Sequence, residues 1–162
     1  MKTLTLVRHA KSSWGDPVLA DRDRPLNERG LRDAPAMGQR LAQRGAKPDL
    51  LLASPATRAL TTAEHLAKAL GLKRKDIVVD DRLYAAPASE LLAVIAELGD
   101  APQRVMLVAH NPGLSDLAHR FASDITHMPT CAVAEFTFAA ASWGDIGGAK
   151  PTRVVFDYPK KG

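Results

Sequence analysis

Arginine and histidine side chains follow three short apolar runs of this sequence, at residues 4–7, 50–53 and 105–108. Arg8 and His9 directly follow the first run, Arg58 lies beyond the second, and His110 comes after the third. A guanidinium matches the oxygens of a phosphate with paired hydrogen bonds. Arg8 and His9 alone would be a solvated strand end. Three such positions together predict a strongly cationic pocket for a phosphate, with no obligatory carboxylate.

The order of the secondary-structure patterns explains how these side chains can meet. The apolar runs have the length of buried strands and alternate with helical patterns. This order predicts an α/β fold, a three-layer α-β-α sandwich with a mostly parallel central sheet and an antiparallel edge strand. The carboxyl ends of parallel strands open on one side of a sheet, where ligands bind. Helices that begin after Ser54 and Pro112 would also direct N-terminal amides at an anion.

Periodicity and cap signals give the expected bounds of each element. Strands are predicted at residues 4–7, 50–53, 77–79, 104–109, 132–138 and 153–158. Helices are predicted from the N-cap Asn27 to about Arg44, from about Ala59 to Gly71, from the cap Ser89 to Gly99, and from about Leu114 to Phe121. Pro35 should kink the first helix or split off its first turn, because its nitrogen carries no hydrogen. Residues 139–152 are expected to form a long turn.

The composition fits one domain over residues 1–162. Hydrophobic residues make up 46% of the chain and charged residues 25%, which is typical of globular domains. The net charge is +4, but the basic residues are scattered and few aromatic residues accompany them, so no nucleic-acid partner is expected. No apolar run is long enough to span a bilayer, and no basic-then-apolar leader opens the chain. We therefore expect no membrane partner and a cytoplasmic location.

The sequence offers no pattern of metal ligands. Cys131 is the single cysteine, which excludes an internal disulfide and leaves no metal-ligand spacing. We expect it to be a small buried hydrophobe. His65, His119 and His127 have no ligand spacing with a carboxylate or a cysteine. We therefore predict no metal site and no cofactor.

Four blocks of the sequence resemble the histidine phosphatase superfamily, which is also called phosphoglycerate-mutase-like. The blocks are LVRHA at 6–10, RPLNERG at 24–30, SPATRALTTA at 54–63 and VAHNP at 108–112. They occur in the expected order and cover the chain from Leu4 to about Leu117. The short chain and the run RHAKSSW at 8–14 are most similar to the small SixA-type phosphohistidine phosphatase branch.

The resemblance implies a role for each residue of the pocket. His9 would be the nucleophile that forms a phosphohistidine intermediate, with its other ring nitrogen donating to a backbone carbonyl. Arg8 and Arg58 would hold the phosphoryl oxygens, and His110 would donate a further hydrogen bond. Arg24 matches a position that contributes to the pocket in the small branch. The alternative for Arg24 is a surface charge at the helix entry.

Two positions depart from the family pattern. Ala10 replaces the glycine that often follows the Arg-His pair. Many members carry a glutamate acid/base after the third strand, but residues 81–86 contain none, so Asp81 or Asp23 would have to substitute. Ser54 and Asn111 are expected to shape their turns rather than to touch substrate.

These observations predict a metal-independent phosphatase that acts through His9. The favoured substrate is a phosphorylated histidine on a protein. A phosphatase for small phosphate esters is the close alternative, and a non-catalytic phosphate-binding module is a third. The sequence leaves the oligomeric state open.

Overall fold

A six-stranded sheet forms the centre of the protein in the computed structural model, which describes residues 1–161. The strands are β1 (Lys2–Arg8), β2 (Leu50–Ala53), β3 (Val78–Val79), β4 (Arg104–Ala109), β5 (Val133–Phe138) and β6 (Arg153–Asp157). Their order across the sheet is β3-β2-β4-β1-β5-β6. The first four in that order run parallel, whereas β5 pairs antiparallel with β1, and β6 with β5.

Helices cover both faces of this sheet. They are α1 (Glu28–Gln43), α2 (Thr57–Ala69), α3 (Ala88–Ala96) and α4 (Gly113–Phe121). Helices α1 and α2 pack against each other on one face, and α3 and α4 pack against each other on the opposite face. The predicted α/β class, with a mostly parallel sheet and an antiparallel pairing at one edge, is confirmed.

The continuous apolar runs of the sequence reflect strands that are covered on both sides. In β1, Leu6 belongs to the core layer of α3 and α4, whereas its neighbour Val7 belongs to the layer of α1 and α2. Leu52 and Leu51 of β2 divide between the two layers in the same way. Successive side chains of a strand point to opposite faces, so a strand buried on both faces needs apolar residues at consecutive positions.

Helix α1 begins where the cap signal predicts but does not divide at its proline. The Asn27 side chain accepts a hydrogen bond from the Gly30 amide at 2.9 Å. The helix continues through Pro35, so the expected separation of a first turn is wrong. Pro35 removes the hydrogen bond to the carbonyl of Leu31.

Two further expectations differ from the structure. Ser89 does not cap α3, which starts at Ala88 directly after Pro87 and has no side-chain cap. The expected long turn over 139–152 contains a 3₁₀ helix at Trp143–Gly148. Trp143 is fully buried, and its indole nitrogen donates to the Pro102 carbonyl at 2.7 Å. Long-range packing therefore organises this segment, and the periodicity of the local sequence did not predict the 3₁₀ helix.

The register of the parallel strands aligns their carboxyl ends. Arg8 is paired with Ala109, and Ala53 with Val108, so β1, β4 and β2 end at the same level. Backbone hydrogen bonds extend past the strands: the His9 amide donates to the Ala109 carbonyl at 3.2 Å. Side chains that follow these three strands are therefore held on one rigid edge.

Candidate active site

His9 is fixed at the sheet edge through its backbone and its ring. Its carbonyl accepts a hydrogen bond from the Cys131 amide at 3.0 Å. Its Nδ1 lies 2.7 Å from the carbonyl oxygen of Ala10. Because a carbonyl can only accept, Nδ1 carries the hydrogen and Nε2 keeps a free lone pair. This is the ring geometry that the resemblance implied for a nucleophilic histidine.

The surroundings of His9 keep its ring neutral. Its pKa is lowered to about 3, chiefly by burial and further by the charges of His110, Arg58 and Arg8. The hydrogen bond to Ala10 acts in the opposite direction and is outweighed. At neutral pH the imidazole is therefore unprotonated at Nε2, as a nucleophile requires.

His110 follows β4 and lies beside His9, with their ring centroids 5.2 Å apart. Its Nε2 is 2.7 Å from the hydroxyl oxygen of Ser54, and its buried Nδ1 has no partner. Burial, followed by the charge of Arg58, lowers the pKa of His110 to about 4. When the Ser54 hydroxyl donates to Nε2, the neutral ring carries its hydrogen on Nδ1 and can offer it to an anion.

Ser54 therefore has a contact that the sequence did not predict. Its hydroxyl oxygen accepts from the Ala56 amide at 3.3 Å, as expected of a residue that shapes its turn. The contact with His110 joins residues that are 56 positions apart in the chain. The alignment of β2 with β4 brings them together, and no spacing in the sequence indicates that pairing.

Arg58 and Arg8 bring two guanidinium groups to this edge. Arg58 lies in the first turn of α2 and is buried, whereas Arg8 at the end of β1 is half-buried. Arg8 donates through Nη1 to the carbonyl of Met128 at 3.1 Å. The Nε atoms of both arginines are buried without a partner. The pKa of Arg8 is lowered by its burial and then by the charge of Arg58.

Asp21 brings to this edge a carboxylate that the sequence analysis did not single out. Its Oδ2 accepts from Arg58 Nη2 at 2.9 Å and from the Tyr84 hydroxyl at 2.6 Å, and its Oδ1 accepts from Arg24 Nε at 3.2 Å. The Asp21 carbonyl also accepts from Arg58 Nη1 at 2.6 Å. The hydrogen bond from Tyr84, followed by the contact with Arg58, lowers the pKa of Asp21 to about 2. Asp21 is thus an anion that orients Arg58.

Arg24 is buried between the loop after β1 and Asp21. It is only 7% exposed, so the alternative of a surface charge at the helix entry is wrong. Its Nη1 donates to the Ser12 hydroxyl at 3.0 Å and to the Ser13 carbonyl at 3.3 Å. The guanidinium stacks on the Trp14 ring, 3.5 Å from the centroid. Its positive charge contributes to the lowered pKa of His110.

The two expected substitutes for the missing glutamate lie on the surface. The Asp81 side chain is 80% exposed and pairs with Arg22 at 3.3 Å, and Asp23 is exposed as well. The side chain that does reach the pocket from this region is Tyr84, whose ring meets that of His110 edge to face at 5.6 Å. The pKa of Tyr84 is raised, chiefly by its hydrogen bond to Asp21, so it is a poor proton donor.

The buried Thr62 and the half-buried Asn111 fix the loops around the pocket. Thr62 Oγ1 accepts from the Ala10 amide at 3.0 Å and donates to the Arg58 carbonyl at 2.8 Å, which ties the loop after β1 to α2. Asn111 donates to the Met128 carbonyl at 2.8 Å and accepts from the Ser115 amide at 3.1 Å. Asn111 shapes its turn, as predicted.

Cys131 is buried, as predicted, and burial raises the pKa of its thiol to about 12. Within residues 1–161 no group of three or more His, Cys, Asp or Glu side chains is arranged to hold a metal ion. In the same range no helix combines the length and the apolar character needed to cross a bilayer.

Comparisons with known proteins agree with this fold. Residues 4–85 match the family model of the histidine phosphatase superfamily, branch 1. The uncharacterized protein Rv1276c of Mycobacterium tuberculosis is 32% identical over 165 residues, which cover 95% of this chain and 100% of that protein.

Two solved structures also match nearly the whole chain. One, from Agrobacterium tumefaciens, is provisionally named phosphohistidine phosphatase SixA; it has a TM-score of 0.80 at 29% identity and covers 98% of this chain and 99% of that chain. The other, from Nakamurella multipartitia and provisionally given the same name, has a TM-score of 0.80 at 24% identity, with coverage of 98% and 96%. At 24% identity, the match to the Nakamurella structure shows a similar fold only. The family match, which covers half of the chain, shows that this chain belongs to the histidine phosphatase superfamily, branch 1.

Proposed function

We propose that this protein is a phosphatase in which His9 accepts the phosphoryl group and water then removes it. In the first step, His9 Nε2 attacks phosphorus while the bond between phosphorus and the leaving group breaks. In the second step, water attacks the phosphorus, the phosphorus–nitrogen bond breaks, and inorganic phosphate leaves. The observation that best supports this proposal is the state of the His9 ring. The ring is buried and neutral, and its Nδ1 is hydrogen-bonded to the Ala10 carbonyl.

Hydrogen-bond donors near His9 support the proposed transfer. The Nε atoms of Arg8 and Arg58 and the Nδ1 atom of His110 are buried without partners, so all three can donate to phosphoryl oxygens. Arg24 adds positive charge from the loop side, and we propose that it also binds the phosphate. These donors are preorganised, so they stabilise the charge of the transition state without rearranging.

The favoured substrate is a phosphohistidine on a protein. Asp21 has a pKa of about 2 and therefore carries no proton to give. The Tyr84 hydroxyl donates its hydrogen bond to Asp21, which raises the pKa of Tyr84. Neither residue is therefore a good general acid for a departing alkoxide. A departing imidazole needs less protonation than an alkoxide does. The solved relative from Agrobacterium, whose provisional name is a phosphohistidine phosphatase, supports the same substrate class.

The test compares substrates on one enzyme preparation. We expect kcat/KM to be highest for a histidine-phosphorylated protein, lower for an aryl phosphate and lowest for an alkyl phosphate, with all three activities lost in His9→Ala. Faster turnover of alkyl phosphates would favour a phosphatase for small phosphate esters. Phosphate binding without turnover of any substrate would identify a non-catalytic module and contradict the proposal.

A further inference from the structure

The loop between β1 and Asp21 exposes three large apolar side chains within six residues. Trp14 is 75% exposed, Val18 is 89% exposed and Leu19 is 39% exposed. Hydrogen bonds order this loop, because the Val18 amide donates to the Asp16 carboxylate at 3.0 Å and the Gly15 amide donates to the Ser13 hydroxyl at 3.0 Å. Single exposed apolar residues are common on protein surfaces, but a cluster on one ordered loop is typical of an interaction site.

Both ends of this loop are anchored in the candidate active site. At one end, Trp14 stacks on the buried guanidinium of Arg24. At the other end, Asp21 binds Arg58 and Tyr84. Leu19 precedes Asp21 by two positions, so their Cα atoms are at most about 7.6 Å apart. The three apolar side chains therefore belong to the rim of the phosphate pocket.

The chemistry of the rim indicates what it binds. Residues 14–20 contain one charged side chain, Asp16, and its carboxylate is engaged by the Val18 amide. Residues 14–20 themselves offer no basic group to a second phosphate. A small phosphate ester held by the arginines has too little apolar surface to cover Trp14, Val18 and Leu19 together. A polypeptide that presents a phosphohistidine brings neighbouring side chains to the rim.

We propose that Trp14, Val18 and Leu19 form a docking surface for a phosphohistidine-bearing polypeptide whose residues beside the phosphohistidine are apolar. The inference rests on the proposed function, because it deepens the choice of substrate. Burial of these side chains by the partner would lower KM, whereas the chemical step at His9 would stay unchanged. Aromatic and aliphatic anchors at the centre of an interface contribute most of the binding energy in many complexes.

The test uses two phosphohistidine peptides that differ only in their flanking residues, which are leucines in one and serines in the other. An aryl phosphate reports the chemical step. The variant is V18S/L19S, because both residues expose apolar side chains and neither is proposed to take part in catalysis. The matched control is Val154→Ser on β6, since Val154 is 40% exposed and lies outside this loop.

We expect the kcat/KM of the wild type to be about tenfold or more higher for the leucine-flanked peptide. A factor of this size is expected when one or two apolar side chains are buried with the leucine-flanked peptide and not with the serine-flanked one. V18S/L19S should remove this preference and leave aryl phosphate turnover unchanged, and Val154→Ser should alter neither. Equal rates on both peptides in the wild type, or a preference that survives in V18S/L19S, would overturn the docking surface. Failure to hydrolyse either peptide or the aryl phosphate would instead contradict the proposed phosphatase activity.

Discussion

Two buried imidazoles, His9 and His110, are neutral in the folded protein, and their neutrality links stability to pH. Their pKa values are lowered to about 3 and about 4, whereas an unfolded histidine has a pKa near 6.5. Between these values the unfolded chain binds more protons than the folded chain. The free energy of unfolding must therefore fall as the pH drops below about 6.5.

We predict that each of these histidines lowers the free energy of unfolding by about 1.5 kcal/mol between pH 6.5 and pH 5, because the slope approaches 1.36 kcal/mol per pH unit once the unfolded histidine is protonated. Urea unfolding at the two pH values measures the change. In His9→Asn, the free energy of unfolding should decrease less between the two pH values, by about the contribution of one histidine. Asp21 does not contribute in this interval, because its lowered pKa causes a loss only as the pH falls through about 4 toward 2. A pH-independent unfolding free energy would contradict the neutral state of both rings.

Ser54 is proposed to position His110 and to fix its tautomer. We expect Ser54→Ala to lower kcat about tenfold or more, because a preorganised donor to the phosphoryl group loses its orientation. Nitrogen chemical shifts of His110 should change from the Nδ1-protonated form to a mixture of tautomers, a readout that simple loss of packing would not produce. Unchanged shifts together with unchanged kcat would show that Ser54 only shapes its turn.

Neither Asp21 nor Tyr84 is suited to protonate a leaving group, so we predict a steep dependence on the leaving group. A general acid contributes about 10²–10⁴-fold to such reactions, most of all when the leaving group is basic. We expect kcat/KM to fall steeply as the leaving-group pKa rises across a series of phosphate esters and a phosphoramidate. The exposed Asp81 and Asp23 should not matter, so Asp81→Asn and Asp23→Asn should retain wild-type rates. A flat series would mean that a competent acid is present.

At the scale of elements, Thr62 of α2 links the helix to the loop that holds His9. Thr62→Val removes the acceptor of the buried Ala10 amide, and an unsatisfied buried donor costs about 1–3 kcal/mol. We predict a loss of that size in urea unfolding. The loss should be accompanied by lower activity, since Ala10 also supplies the carbonyl that orients His9. The neighbouring Thr61→Val is the control. Equal stability of the two variants would show that the link is not needed.

Local sequence signals predicted the elements that depend on local chemistry. Strands β2 and β4 occupy the predicted residues, and Asn27 caps α1, because an apolar run and an N-cap are both local features. Trp143 lies in a 3₁₀ helix that distant packing stabilises, so no period of the sequence revealed it. Asp21 was missed for a related reason. It belongs to an ordinary run of alternating acidic and basic residues, and only the fold shows which carboxylate meets Arg58.

At the scale of the whole molecule, sheet topology assembles the candidate site. Strand β1 lies between β4 and β5 and is parallel to β4, so His9 and His110 become neighbours although about a hundred residues separate them in the chain. The parallel alignment could be predicted from the alternation of strands and helices. The order of the strands could not be predicted in this way, because it depends on long-range packing. The contact between Ser54 and His110 follows from that order and could not be predicted either.

The central claim is that the phosphoryl group passes through His9. The most direct measurement mixes the enzyme rapidly with a labelled substrate, quenches the reaction without acid and locates the label by mass spectrometry. We predict an acid-labile phosphate on the peptide that contains His9 in the wild type and none in His9→Ala, which should also fail to turn over. A label that persists in His9→Ala, or normal turnover by that variant, would contradict the account.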